Sequence, residues 1–189
     1  MSGAEDDSAR GRPSAFFSAH LDAVVEAASR GPVLDLACGR GRHALVLAER
    51  GIPVVALDRN RDHLDVLARA ARGLRGAVER VECDLESGAP PVLVQAPFAV
   101  VLVFRYLHRP LMPWIARLLA PGGLLLYETF TRAQRRLGWG PARDAFLLEP
   151  GELPSLFPTL ETLVYEEGPS DEPRPAETAR LMARRPTQD

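Results

Sequence analysis

The sequence predicts an α/β domain built on a mainly parallel sheet with helices on both faces. Three observations predict it: short apolar runs rich in valine and leucine alternate with helical patterns, two of those runs end at an aspartate, and a glycine turn follows the first. Val33-Leu34-Asp35-Leu36 is the first run, and Gly39 and Gly41 come just after it. Glycine there lets the chain take φ > 0 and lets a ligand lie against bare backbone. From Ala44 to Arg50 the spacing becomes helical, and Gly51-Ile52-Pro53 stops it. Val54 to Leu57 reads as the next strand and ends in Asp58. Two strands ending in carboxylates beside a glycine turn make a nucleoside pocket.

The remaining elements follow in order. Residues 1–13 read as a mobile polar tail and residues 14–186 as one domain. Ala15 to Ser29 predicts a helix with Phe16, Leu21, Val24, Val25 and Ala28 on its apolar face. Asn60 caps a helix running to about Arg72, with Leu64 and Leu67 inward. Ala77 to Glu82 is a short strand leading to Cys83-Asp84, and the apolar run Phe98 to Phe104 is a central strand buried on both faces. Pro110 opens a helix through Trp114 and Leu118, and the Pro121-Gly122-Gly123 turn leads into a strand from Leu124 to Phe130. The segment from Thr131 to Pro150 has few regular signals and carries Arg132, Arg135, Arg136, Trp139 and Arg143, as a lid or binding loop would. A short helix over Pro150 to Phe157 precedes strands over Thr159 to Glu166 and Glu177 to Arg184, joined through the proline-rich turn Pro169 to Pro175.

Composition narrows the function classes. At 189 residues and 46% hydrophobic, the chain suffices for one domain with a substantial core. A formal net charge of -2 gives no global attraction to nucleic acid or anionic membrane. The acidic start and the lack of a long apolar run predict neither a secretory signal nor a membrane span, and so a cytoplasmic protein. Cys38 and Cys83 are two isolated thiols, which predict neither a disulfide framework nor a metal site. Every basic residue is arginine, which rules out a lysine base or Schiff base.

The glycine turn admits more than one ligand. Gly39-Arg40-Gly41-Arg42-His43-Ala44 also satisfies the G-x-G-x-x-G/A dinucleotide formula, with Asp58 at about the expected distance. Asp35 would repel a phosphate yet suits a ligand with an ammonium group, which favours S-adenosylmethionine; a purely structural turn is the third reading. Asp35-Leu36-Ala37-Cys38-Gly39-Arg40-Gly41, Asp58, Cys83-Asp84-Leu85 and Leu119-Ala120-Pro121-Gly122-Gly123-Leu124-Leu125 stand in the order found in class I S-adenosylmethionine-dependent methyltransferases, and the chain resembles that family from about Pro32 to Phe130. Arg105-Tyr106-Leu107-His108-Arg109-Pro110-Leu111 and Tyr127-Glu128-Thr129-Phe130 resemble its small tellurite-resistance-type branch.

The resemblance implies a Rossmann-like, seven-stranded mixed sheet with one antiparallel strand. It implies S-adenosylmethionine as cofactor, held by Asp35, Ala37, Cys38, Gly39, Gly41, Asp58, Arg59, Asp84, Leu85 and Phe104, with Asp58 on the ribose and Asp84 toward the adenine amino group. The methyl of a sulfonium needs no activation, so alignment is the main requirement, and a base matters only if the acceptor must lose a proton. Arg105, Tyr106 and His108, just after a central strand, are the acceptor-site candidates, with Tyr106 and His108 as catalytic candidates; capping of the next helix is the bland reading of His108 and Arg109. His43 is placed behind the cofactor, and His20 and His63 at the surface or in packing. The expected activity is methyl transfer to a small molecule or small anion, by a monomer or homodimer. An RNA or protein methyltransferase and a non-catalytic S-adenosylmethionine-binding protein are the alternatives.

Overall fold

The computed structural model describes residues 11–88, 91–93, 95–170 and 174–187. Most of the predicted tail, and residues 171–173 of the predicted proline-rich turn, therefore lie outside the described residues. Seven strands form one sheet: β1 (Val33–Leu36), β2 (Val54–Asp58), β3 (Val78–Glu82), β4 (Phe98–Phe104), β5 (Leu119–Phe130), β6 (Glu161–Ser170) and β7 (Ala176–Arg184). Their spatial order is β3-β2-β1-β4-β5-β7-β6. Strands β1 to β5 are mutually parallel, and β7 runs antiparallel to both of its neighbours. The predicted mixed sheet with one reversed strand is the observed one.

Central strands are buried on both faces, so they read as continuous apolar runs. Along β4 the side chains still alternate: Val101 and Val103 enter one core layer, while Val100, Leu102 and Phe104 enter the other. The helices α1 (Ala15–Ala19), α2 (Leu21–Ala28), α3 (Arg42–Glu49), α4 (Arg61–Ala70), α5 (Met112–Leu118) and α6 (Glu152–Ser155) connect and cover the strands. The side chain of Asn60 caps α4 as expected, accepting from the amide of His63 at 3.2 Å.

Three expectations are corrected. The helix expected from Ala15 to Ser29 is two helices, because His20 leaves the helical conformation at φ -107°, ψ 14°. Its apolar spacing persists because Phe16, Val24 and Ala27 enter the same core layer. The helix expected from Pro110 begins as a 3-10 turn at Arg109–Leu111, where Pro110 cannot donate. Strand β5 begins at Leu119 rather than Leu124: Leu119 pairs with Phe98, and the register then jumps so that Leu124 pairs with Val100. Among the described residues, no helix is long and apolar enough to cross a membrane.

From β1 the sheet grows one way to β2 and β3 and the other way to β4 and β5. Chain direction therefore diverges between β1 and β4, and a crevice opens there at the carboxyl ends of the strands, where open α/β sheets hold ligands.

Candidate functional site

Two residues mark that crevice by their backbone. Ala37, just past β1, has φ 55°, and Arg105, just past β4, has φ 58°; they are the non-glycine residues with positive φ among those described. Such conformations cost L-residues of the order of 1–2 kcal/mol and cluster where geometry serves function. Ala37 occupies the place where glycine is common in the resembled motif.

Asp58 ties the two strand ends together. Its Oδ2 accepts from the amide of Gly39 at 2.7 Å, and its Oδ1 from the amide of Asn60 at 2.8 Å. An ionised carboxylate has about four acceptor positions, so two remain for a ligand. A cavity of about 210 Å³ opens beside it, bounded by Ala37, Asp58, Arg59, Cys83, Asp84, Leu85, Glu86, Arg105 and Tyr106. Of the predicted cofactor residues, Ala37, Asp58, Arg59, Asp84 and Leu85 meet at this cavity.

The glycines divide their roles. A Cβ on Gly39 would meet nothing within 4 Å, so bare backbone there faces open space. A Cβ on Gly41, at φ 77°, would collide with Leu67, which is fully buried on α4. The space a Gly41 side chain would need is taken by Leu67, which seats α4 against the start of α3.

Asp35 likewise has a partner within the fold. It is 1% exposed, and its Oδ2 accepts from the amide of Ala44 at 3.2 Å, in the first turn of α3. A carboxyl oxygen there satisfies a helix amide, so Asp35 anchors the start of α3. Burial pushes its pKa up from 3.8 to about 7, against the smaller opposing effects of the Ala44 amide and Arg42. A carboxyl group with a raised folded pKa favours the native state when protonated, so stability should fall as pH climbs from 3.8 toward 7. Asp35→Asn keeps an acceptor for Ala44 and should flatten that slope in urea titrations at several pH values. An unchanged slope would locate the pH dependence elsewhere.

Phe104 and Cys38 were also expected at the cofactor. Both are buried, and the ring of Phe104 packs 4.0 Å from that of His43. Burial, with the nearby cations Arg42 and Arg105, holds His43 well below the usual imidazole pKa. Neutral His43 accepts from the amide of Ser14 through Nε2 at 3.2 Å, while the Ser14 hydroxyl donates to Glu128. Glu128, 3% exposed, was not singled out as a candidate, although an acid inside the apolar run Leu124 to Phe130 was a readable signal.

A second cavity of about 530 Å³ shares Arg59, Glu86, Arg105 and Tyr106 with the first and adds Leu107, Thr129, Phe130, Pro141, Arg143 and Phe146. Arg105 and Tyr106 thus stand between the two spaces. The hydroxyl of Tyr127 donates to the carbonyl of Tyr106 at 2.7 Å, and the amide of Arg105 donates to that of Glu128 at 2.7 Å. These bonds fix the turn. The Tyr106 hydroxyl and the Arg105 Nε are buried without a protein partner. Burial, with Glu86 and Asp84 adding to it, pushes the Tyr106 pKa up, so the hydroxyl stays protonated and able to donate. His108 lines neither cavity; its carbonyl accepts from the amide of Leu111 at 3.0 Å in the 3-10 turn.

The segment from residue 131 to 150 is tied to the rest of the domain as a wall of the cleft. Arg109 donates to Glu152 at 2.6 and 2.8 Å, and to the carbonyls of Ala145 and Leu147 at 3.0 and 2.9 Å. Gln134, fully buried, donates to the carbonyl of Trp139 at 2.9 Å and accepts from the amide of Glu177 at 2.8 Å. Arg132 pairs with Glu149 at 2.8 Å, and Arg135 pairs with Asp144. Of the four arginines expected to face the acceptor from this segment, Arg143 lines the cleft. A further apolar cavity of about 440 Å³, between α5 and residues 156–160, lies away from the strand ends that form this site.

A methyltransferase-domain family matches residues 33–123, which contain the glycine turn, Asp58, Asp84 and the turn of Arg105 and Tyr106. Across those residues the chain matches a methyltransferase domain, and its fold is that of the class I S-adenosylmethionine-dependent methyltransferases. S-adenosylmethionine is the cofactor of that family, which favours it over the dinucleotide reading of the glycine turn. A methyltransferase of Mycobacterium tuberculosis is 38% identical over 133 residues, 69% of this chain and 51% of the relative. The chain thus spans about half the length of such relatives. The cypemycin N-terminal methyltransferase of a Streptomyces species is 35% identical over 121 residues, 59% of this chain and 47% of that protein. Solved structures share the fold: a methyltransferase from Methanosarcina mazei superposes with a TM-score of 0.68 at 19% identity, over 84% of this chain and 93% of that one. TehB of Haemophilus influenzae does so with a TM-score of 0.65 at 22% identity, over 87% of this chain and 62% of that one.

Proposed function

We propose that residues 14–186 act as one domain that transfers a methyl group from S-adenosylmethionine to a small-molecule or small anionic acceptor by in-line displacement. The observation that carries this is the pair of cavities at the carboxyl ends of the strands, meeting at Arg105 and Tyr106. The residues present suit the cofactor. Asp58 keeps acceptor positions for two ribose hydroxyls, Asp84 borders the same space for the adenine amino group, and Gly39 leaves the backbone open beside them. When bound, S-adenosylmethionine supplies a methyl group on a sulfonium.

The protein's part is then to orient and to exclude water. Tyr106, held by Tyr127, presents a protonated hydroxyl between the two spaces, where it can donate to the acceptor. Tyr106→Phe should therefore lower turnover about tenfold or more while leaving cofactor affinity nearly intact. His108→Ala should cost less than about threefold, since its side chain reaches neither cavity. Equal losses of affinity and turnover in Tyr106→Phe would move that residue into the cofactor site. The decisive experiment is incubation with labelled S-adenosylmethionine and fractionated cell metabolites. Label in a small-molecule fraction supports the reading, whereas label in RNA or protein supports that alternative. Cofactor binding without transfer in any fraction would make this a non-catalytic binding protein.

A further inference from the structure

We infer that the larger cavity takes an organic anion with a flat aromatic body, an aryl oxyanion, rather than a small inorganic anion. The inference rests on the methyltransferase reading and narrows its acceptor. Size comes first. At about 530 Å³ the cleft falls within the roughly 300–1,000 Å³ typical of sites for drug-sized molecules. A water-sized group occupies only about 30 Å³, so an inorganic oxyanion would leave most of the space unfilled.

The lining sets the charge. Arg59, Arg105 and Arg143 border the cleft against a single carboxylate, Glu86. Three arginines that line neither cavity are matched with carboxylates: Arg109 with Glu152, Arg132 with Glu149 and Arg135 with Asp144. Among the described residues none of the three cleft arginines makes an ion pair at bonding distance with a carboxylate; the Glu128 carboxylate acts on Arg105 from farther off, and the Arg105 Nε is buried without a hydrogen-bond partner. Arginine that a fold leaves unpaired at a cavity is suited to an oxyanion, which it can grip with two parallel hydrogen bonds.

Shape completes the argument. Tyr106, Phe130 and Phe146 supply aromatic walls. Behind Phe130 the ring of Trp139 packs edge-on at 5.6 Å, with Arg174 stacked 3.5 Å above it. Arg105 lies over the Phe130 ring, 5.5 Å from its centre, so a cation held against an aromatic ring borders the cleft. Planar rings with a negative oxygen match both. In the transfer, an oxygen lone pair of the acceptor forms the new bond to the methyl carbon while the carbon–sulfur electron pair passes to sulfur. The negative and positive charges cancel, and no proton moves, so no general base is needed.

Calorimetry on protein saturated with S-adenosylhomocysteine tests the assignment. The probes are 2-naphthoate, 2-naphtholate at high pH, 2-naphthylmethylammonium, cyclohexanecarboxylate and selenite. The expected result is that 2-naphthoate or 2-naphtholate binds at least tenfold more tightly than each of the other three, and whichever of the two is tighter tells carboxylate from phenolate. Arg143→Gln, at an exposed position, should weaken that binding about fivefold or more, and Arg143→Glu further, with S-adenosylhomocysteine affinity and melting temperature unchanged. Equal binding of naphthoate and the naphthylmethylammonium ion, or tighter binding of selenite, would overturn the inference. The same titrations on unloaded protein separate the two readings. Failure of S-adenosylhomocysteine to bind would remove the cofactor assignment and leave the charge preference of the cleft standing or falling on its own.

Discussion

Asp58→Ala is expected to weaken S-adenosylmethionine binding by about tenfold to a hundredfold. The estimate follows from losing charged hydrogen bonds to ribose hydroxyls, each worth of the order of 1.5–3 kcal/mol. The structure adds a second route to the same loss. Asp58 also fixes the Gly39 and Asn60 amides, at 2.7 and 2.8 Å, so its removal loosens the turn that borders the cavity. Asp58→Asn should fall between wild type and alanine, since one of its two positions would turn a donor toward an amide that is itself a donor. Calorimetry with S-adenosylmethionine, its demethylated product and NAD is the measurement. Tight NAD binding in the absence of S-adenosylmethionine binding would refute the assignment of the pocket.

Gly41→Ala is expected to be the most destabilising single change in the turn. The positive φ of 77° costs an alanine about 1–2 kcal/mol, and overlap with buried Leu67 adds about 1–3. Together about 2–5 kcal/mol would lower the melting temperature by roughly 4–20 °C for a domain of this size. Gly39→Ala should cost only the conformational part in stability, because its Cβ meets nothing. Its methyl would project toward the cofactor's space, so affinity is where it should show. Adding Leu67→Ala to Gly41→Ala should recover part of the loss through coupling between touching residues. Equal destabilisation at both glycines would refute this division of roles.

What the sequence made legible was whatever local chemistry determines. Apolar runs named the central strands because β1 and β4 are buried on both faces, and turns after them named the strand ends. The place of Asp58 at the cavity was readable because its carboxylate closes a strand beside the glycine turn. Asp35 and Gly41 belong to the same motif, and their partners were not legible: the Ala44 amide reaches Asp35 once α3 folds back on β1, and Leu67 reaches Gly41 once α4 packs beside α3. His108 and Tyr106 look alike in sequence, two residues apart after one strand. The positive φ of Arg105 and the bond from Tyr127 decide which of them borders the cavities. The arginines after Phe130 could not be sorted from sequence either, since their carboxylate partners Asp144 and Glu149 lie within the same segment and pair only once it has folded.

The clamp of Arg109 on Glu152 bears on how fast and how selectively the cleft fills. So oriented, Arg109 also bonds the carbonyls of Ala145 and Leu147, which flank Phe146 in the wall that carries Pro141 and Arg143, before any acceptor arrives. Entry then requires no closing step, so association should run at the ordinary orientation-limited rate of about 10⁵–10⁷ M⁻¹s⁻¹, and competing acceptors should differ chiefly in how quickly they leave. A wall that does not yield also discriminates against shape: analogues one ring larger meet rigid backbone rather than a segment that gives way. The protein should therefore show a narrow acceptor range, with selectivity expressed in residence time.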